Sequence, residues 1–133
     1  MKPLDRKDVG ALGERIAARY LRRQKCKILA KNVHCGQNEL DLVVRDGTYI
    51  AFVEVKTRTF DTAEAVDCRP ARAVDISKRR RTVDAAHFYL KLHPTKLCPR
   101  LDVIEVYLDR SNRFKPFKIH HIPGAFDAKG SIH

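Results

Sequence analysis

Behind Asp8, apolar residues recur at helical spacing. Val9, Leu12, Ile16 and Tyr20 share one side, and Arg15, Arg19 and Arg22 line another. Asp8 is the expected N-cap, and the helix should run to about Arg23. The pattern then shortens towards alternation. "CKILAKNVHC" predicts a strand from about Lys27 to His34, and residues 39–45 and 48–57 predict two more, joined at Asp46-Gly47 by a two-residue hairpin turn. "TFDTAEAVDCRPAR" has no period and contains Pro70, which predicts a mobile loop. A second helix should follow an Asp75 cap and end near Leu92, with Ile76, Val83, Ala86 and Leu90 inward. "RLDVIEVYL" and "RFKPFKIHHI" read as the last two strands, the latter at an edge because Pro116 cannot donate to a ladder. Residues 127–133 are expected to be a disordered tail. The order predicts one α/β domain over residues 1–126, with a mixed central sheet flanked by helices.

Acids interrupt this pattern in "NELDLVVRDGTYIAFVEVKTR", residues 38–58. With Asp46-Gly47 as the loop, Arg45 faces Thr48, and alternation puts Leu40, Leu42, Val44, Tyr49, Ala51, Val53 and Val55 on one face. The other face carries Val43, Ile50 and Phe52 near the turn and Glu39, Asp41, Glu54 and Lys56 at the far end. In that register Glu39 lies opposite Glu54, with Asp41 diagonal to it. Like charges so close destabilise a sheet unless a positive group sits between them, and a divalent cation would meet that need. The plain structural alternative is a solvated strand face with a weak Glu-x-Lys ion pair. Glu14 adds a fourth acid, in "GALGERIAA". Each glycine inside a helix costs about 1 kcal/mol relative to alanine. Gly10 and Gly13 therefore point either to close helix-on-sheet packing or to a helix pressing its carboxylate onto the acidic strand ends, and the two are compatible.

Composition narrows the partner. The 133 residues are 44% hydrophobic and 32% charged, as in a globular protein, and the net charge of +11 favours a polyanion such as nucleic acid. No apolar run approaches a bilayer span, and "MKPLDRKDVG" is followed by no apolar signal segment, so the expected location is cytoplasmic, away from membranes. Cys26, Cys35, Cys68 and Cys98 form no C-x-x-C pair, which argues against zinc and for reduced thiols.

These residues resemble the PD-(D/E)xK nuclease superfamily, in which an Asp on one strand and Glu-x-Lys on the next form the site. Here they are Asp41 and "EVK", Glu54 to Lys56. The closer resemblance is to the YraN family of endonuclease-like bacterial proteins, itself similar to archaeal Holliday junction resolvases. The motifs are "G-x-x-G-E" at Gly10, Gly13 and Glu14, Asn32 with "NELDLV", "FVEVKTR" at Phe52 to Arg58, a basic second helix, "RLDV", and Ala125-Phe126. Asn38 replaces a glycine of the pattern, and Asn tolerates left-handed backbone, so a special turn there could survive. The resemblance implies a restriction-endonuclease-like sandwich. It implies Mg²⁺ or Mn²⁺ on Asp41, Glu54 and the Val55 carbonyl, Lys56 at the attacking water or phosphate, and Glu14 as the helix-borne acid. Glu39 would be auxiliary. It also implies DNA, including branched DNA, as substrate, and admits a homodimer.

Arg58 continues the Lys56 face, and Lys78, Arg79, Arg80 and Arg81 open the second helix; these are the candidate phosphate contacts. Four consecutive cations cannot share one helix face, so part of the run should only solvate. The leading expectation is a metal-dependent DNA endonuclease. The alternatives are a non-catalytic nucleic-acid-binding module with a vestigial site, and an RNA-associated structural protein, which would explain the charge but not the acids.

Overall fold

The computed structural model describes residues 4–61 and 76–126. In chain order the elements are helix α1 (Arg6–Arg23), strands β1 (Lys27–Cys35), β2 (Asn38–Asp46) and β3 (Tyr49–Phe60), helix α2 (Ile76–Leu92), strand β4 (Cys98–Asp109), a 3-10 turn at Arg110–Asn112, and strand β5 (Lys115–Ile122). The Asp75 cap, most of the expected loop and the tail lie outside the described residues, while Thr59 and Phe60, read as loop, instead end β3.

Helix α1 starts one turn earlier than its apolar period suggests. Asp5, not Asp8, is the N-cap: its side chain accepts the Asp8 N–H at 2.8 Å, and the Asp8 carboxylate accepts the Asp5 N–H at 3.4 Å. This reciprocal box satisfies two donors that a helix start leaves open.

The strands form one sheet in the order β1-β2-β3-β4-β5. The first three pair antiparallel, β3 and β4 pair parallel, and β5 is antiparallel to β4 at the edge. A parallel neighbour needs a crossover, which α2 occupies. α1 covers one face, packing Ala17, Ala18 and Leu21 on Leu42, Val44, Ala51, Val53, Ile104, Val106 and Leu108. α2 covers the other, with Ala85, Ala86 and Tyr89 on Leu40, Val43, Ile50 and Phe52. The molecule is thus an α/β sandwich around a mixed sheet.

The centre of the α1 contact is a line of small residues rather than the expected large ones. Gly13, Ala17, Ala18 and Leu21 are buried, and Val9, Leu12, Ile16 and Tyr20 flank them half-buried. A Cβ on Gly13 would fall 1.8 Å from Thr57 Oγ1, so the glycine sets how closely α1 approaches β3. Gly10, one turn earlier, has nothing within 4 Å of the same position. The two glycines therefore have different reasons to be there.

The β2–β3 hairpin departs from the expected register. Asp46 faces Tyr49 and Leu42 faces Val53, so the loop is Gly47-Thr48, with Gly47 at φ 59°. The pairing has moved by two positions, which leaves every face assignment near the turn intact because side chains alternate with period two. It removes the predicted Glu39–Glu54 opposition. Leu40 is a second correction, since it packs with Val43 on the α2 side rather than with Leu42. Alternation breaks between them, at Asp41. On β1 the register passes from Lys31↔Leu42 to Val33↔Leu40, and the intervening Asn32 has φ 48°. Asn38, by contrast, begins β2 with ordinary strand geometry, and the left-handed residue of the β1–β2 turn is Gly36 at φ 65°. Among the described residues, no helix is long and apolar enough to cross a membrane.

Candidate functional site

The kink at Asn32 and Asp41 builds the site. Asp41, at the break in alternation, reaches along the sheet rather than out of it. Its Oδ2 accepts the Val55 N–H at 2.8 Å, next to the point where the β2–β3 ladder ends. In an extended strand a residue's N–H and C=O face the same neighbour, so the Val55 carbonyl turns to the same gap.

A cleft of about 840 Å³ opens here, lined by Glu14, Glu39, Asp41, Glu54, Val55 and Lys78 among others. Glu54 is 6% exposed. Glu14 comes from α1, held close by the Gly13–Thr57 contact one residue away. With its amide nitrogen turned towards the acids, Asn32 donates to Glu14 Oε2 at 2.9 Å and to Glu39 Oε1 at 3.3 Å. The left-handed residue within β1 thus also supplies a side chain that ties two carboxylates together.

Charge accumulates in this corner. Burial, then the negative charge of Glu54, pushes the Asp41 carboxyl up to about 7; the Val55 N–H and Lys78 pull the other way, and Glu14 adds to the rise. Burial also raises Glu14; the Asn32 hydrogen bond opposes this and the charges of Glu39 and Glu54 reinforce it. Lys78 is placed directly on one of these acids, with its Nζ 2.5 Å from Glu54 Oε1.

The structure sorts the sequence candidates. Glu14, Glu39, Asp41, Glu54, Val55 and Lys78 share the cleft, whereas Lys56 is half-buried beside it on β3 and is not among the lining residues. Arg58 is turned to the buried Glu105, with Nε 2.6 Å from Oε2. Glu105 also accepts from Tyr107 Oη and lies 3.5 Å from His120 Nδ1. The cationic run at the start of α2 divides, with Arg79 buried, Arg80 and Arg81 exposed, and Lys78 in the cleft. Arg15, Arg19 and Arg22 are exposed along α1. Asn32 was visible in the sequence only as a motif position, and nothing marked Arg110, which lines the far end of the cleft.

Among the described residues, no three His, Cys, Asp or Glu side chains converge into a self-sufficient metal cage. Mg²⁺ asks for less, namely one or two carboxylates with water completing an octahedron. Asp41 and Glu54 beside the Val55 carbonyl fit that demand. The rise of the Asp41 carboxyl to about 7 reflects, after burial, the repulsion from Glu54 that a cation would relieve.

The chain matches the family model described as uncharacterised protein family UPF0102 over residues 13–106, a span that includes Glu14, the hairpin, α2 and most of β4. It is 41% identical over 127 residues to a UPF0102 protein of Caldanaerobacter subterraneus subsp. tengcongensis, covering 95% of this chain and 100% of the relative. A UPF0102 protein of Syntrophotalea carbinolica is 41% identical over 126 residues, covering 94% and 96%. One from Myxococcus xanthus is 38% identical over 127 residues, covering 95% and 94%. The chain belongs to the uncharacterised protein family UPF0102.

Proposed function

We propose that this protein is a metal-dependent DNA endonuclease of the PD-(D/E)xK type, and that branched DNA is among its substrates. The observation that carries the reading is the gathering of Asp41, Glu54 and Glu14 in one cleft, where Asp41 spans the gap that β2 leaves beside Val55. Structural acids are seldom brought together at such a cost in repulsion, and perturbed carboxylates in a cleft are a mark of functional sites. The net charge of +11 supplies the attraction for a polyanion.

In this reading Asp41, Glu54 and the Val55 carbonyl hold Mg²⁺ or Mn²⁺. The metal, when bound, acidifies a water and offsets charge on the phosphate. Glu14, steadied by Asn32, accepts a hydrogen bond from water at the same end of the cleft. Lys78 leaves Glu54 for the substrate phosphate once a cation neutralises the acids. Lys56, two residues after Glu54 on the same strand face, keeps the water-orienting role that the resemblance implies.

The test is cleavage of labelled four-way junction, duplex and single-stranded DNA with Mg²⁺ or Mn²⁺ and with chelator. Metal-dependent cutting that is lost in Asp41→Ala and Glu54→Gln is expected. DNA binding without cutting of any substrate would instead favour a binding module.

A further inference from the structure

The cleft does not end at the acids. It continues between the first turns of α1 and the outer part of β3, past Thr57 and Thr59, to Arg110 in the 3-10 turn. Three features of this far end suit a nucleotide. First, Arg110 is a pinned cation. Its Nη2 donates to Thr59 Oγ1 at 2.7 Å and its Nη1 to Asp61 Oδ1 at 3.1 Å, while its side chain remains 55% exposed. A guanidinium has five N–H donors in a fixed fork, so donors remain for a phosphate. Second, Val9 and Phe114 line the same space and offer apolar surface to a sugar or base. Third, Gly10 lines it with no atom within 4 Å of where a Cβ would be, so the absent side chain keeps this part open. Asp5 is on the same wall but is engaged in capping α1.

We infer that this end of the cleft is a subsite for the nucleotide beside the reacting phosphate, on a strand that is unpaired there, with Arg110 taking the neighbouring phosphate. The position "beside the reacting phosphate" rests on the nuclease reading; the binding of an unpaired strand does not. The apolar wall decides between paired and unpaired. In a closed duplex the base faces are stacked and hidden, and only an unstacked nucleotide presents one to Val9 and Phe114. Glu54 is buried in the same cleft, so a strand lying along it from Arg110 would reach the acids.

The experiment is fluorescence anisotropy with a labelled oligo-dT strand and a blunt duplex of the same length, each in chelator and in Ca²⁺. Wild type is expected to bind the single strand more tightly than the duplex. Arg110→Gln should weaken single-strand binding roughly tenfold, the loss of one charge-assisted contact. Gly10→Leu, which fills the open space, should weaken it as well without lowering the melting temperature, because leucine is the better helix former. If Gly10→Leu melts lower, Arg110→Gln decides alone. Lys96→Gln, exposed between α2 and β4, removes the same charge away from the cleft and should bind like wild type. Equal binding of both DNAs, single-strand binding by Arg110→Gln as tight as wild type, or an equal loss in Lys96→Gln, would overturn the subsite. Failure of wild type to cut any DNA would remove the nuclease reading and leave this comparison standing.

Discussion

Asp41 accepts the backbone N–H of Val55 at 2.8 Å, so a carboxylate takes over a hydrogen bond where the pairing of β2 with β3 ends. The acid is therefore structural and electrostatically strained at once, and its two roles respond differently to pH.

The Asp41 carboxyl is held at about 7 in the folded protein against an ordinary value of 3.8. Below the ordinary value it is neutral in both folded and unfolded chains and costs nothing. As pH rises towards 7 the unfolded chain ionises first, so stability falls, and above 7 the loss is complete. Asp41→Asn keeps an acceptor for Val55 and removes the charge. Without metal it should be more stable than wild type at pH 8 by about 2–4 kcal/mol, because ionising a raised carboxyl costs about 1.4 kcal/mol for each tenfold weakening of its acidity. Near pH 4 the two proteins should be equally stable. Urea unfolding in chelator across that range measures this, and an excess that does not grow with pH would refute it.

Lys78 neutralises Glu54 from α2. Lys78→Met should therefore bind Mn²⁺ several-fold more tightly, because a competing cation is gone, while losing most DNA cleavage. Calorimetric titration of Mn²⁺ reads the first effect independently of activity. Unchanged or weaker metal binding would show that Lys78 does not compete for the site.

Gly13 and Gly10 should part company under substitution. Gly13→Ala places a Cβ against Thr57 Oγ1 and should destabilise by about 1–3 kcal/mol despite a gain in helix propensity. Gly10→Ala should be neutral or stabilising by up to about 1 kcal/mol. Adding Thr57→Ala to Gly13→Ala should recover part of the loss, and thermal melts of the three variants would expose any other ordering.

Asp102, fully buried, answers to acid. Burial pushes its carboxyl up, but hydrogen bonds from His121, Arg100 and the Gly124 N–H, with the Arg100 charge, hold it below its ordinary value. Its stabilisation is present above pH 3.8 and lost as pH falls through the folded-state value. Asp102→Ala should cost about 3–5 kcal/mol at pH 7, since it leaves Arg100 with little but Asp46, and the deficit should shrink in acid. Denaturation midpoints at pH 7 and pH 3 provide the check.

The element order, the edge position of β5 and the faces of the hairpin near its turn were legible in the linear pattern, because periods of 3.6 and two are local properties of the backbone. So were the acids that meet in the cleft, which the motifs name, although β3 runs on to Phe60 and Glu54 therefore stands mid-strand rather than at a strand end. The β2–β3 register was not legible: a slip by two positions is invisible to a period of two, and only the loop at Gly47-Thr48 reveals it. Nor was the kink at Asn32 and Asp41, because a left-handed non-glycine residue leaves no trace in hydropathy. Sequence adjacency favoured Lys56 and Arg58 as the working cations. In three dimensions Arg58 meets Glu105 on the neighbouring strand β4, and Lys78 meets Glu54 from a helix more than twenty residues away in sequence. Which cation reaches which acid depends on how closely helices and strands approach, a distance set by contacts such as Gly13 on Thr57 that no single segment contains.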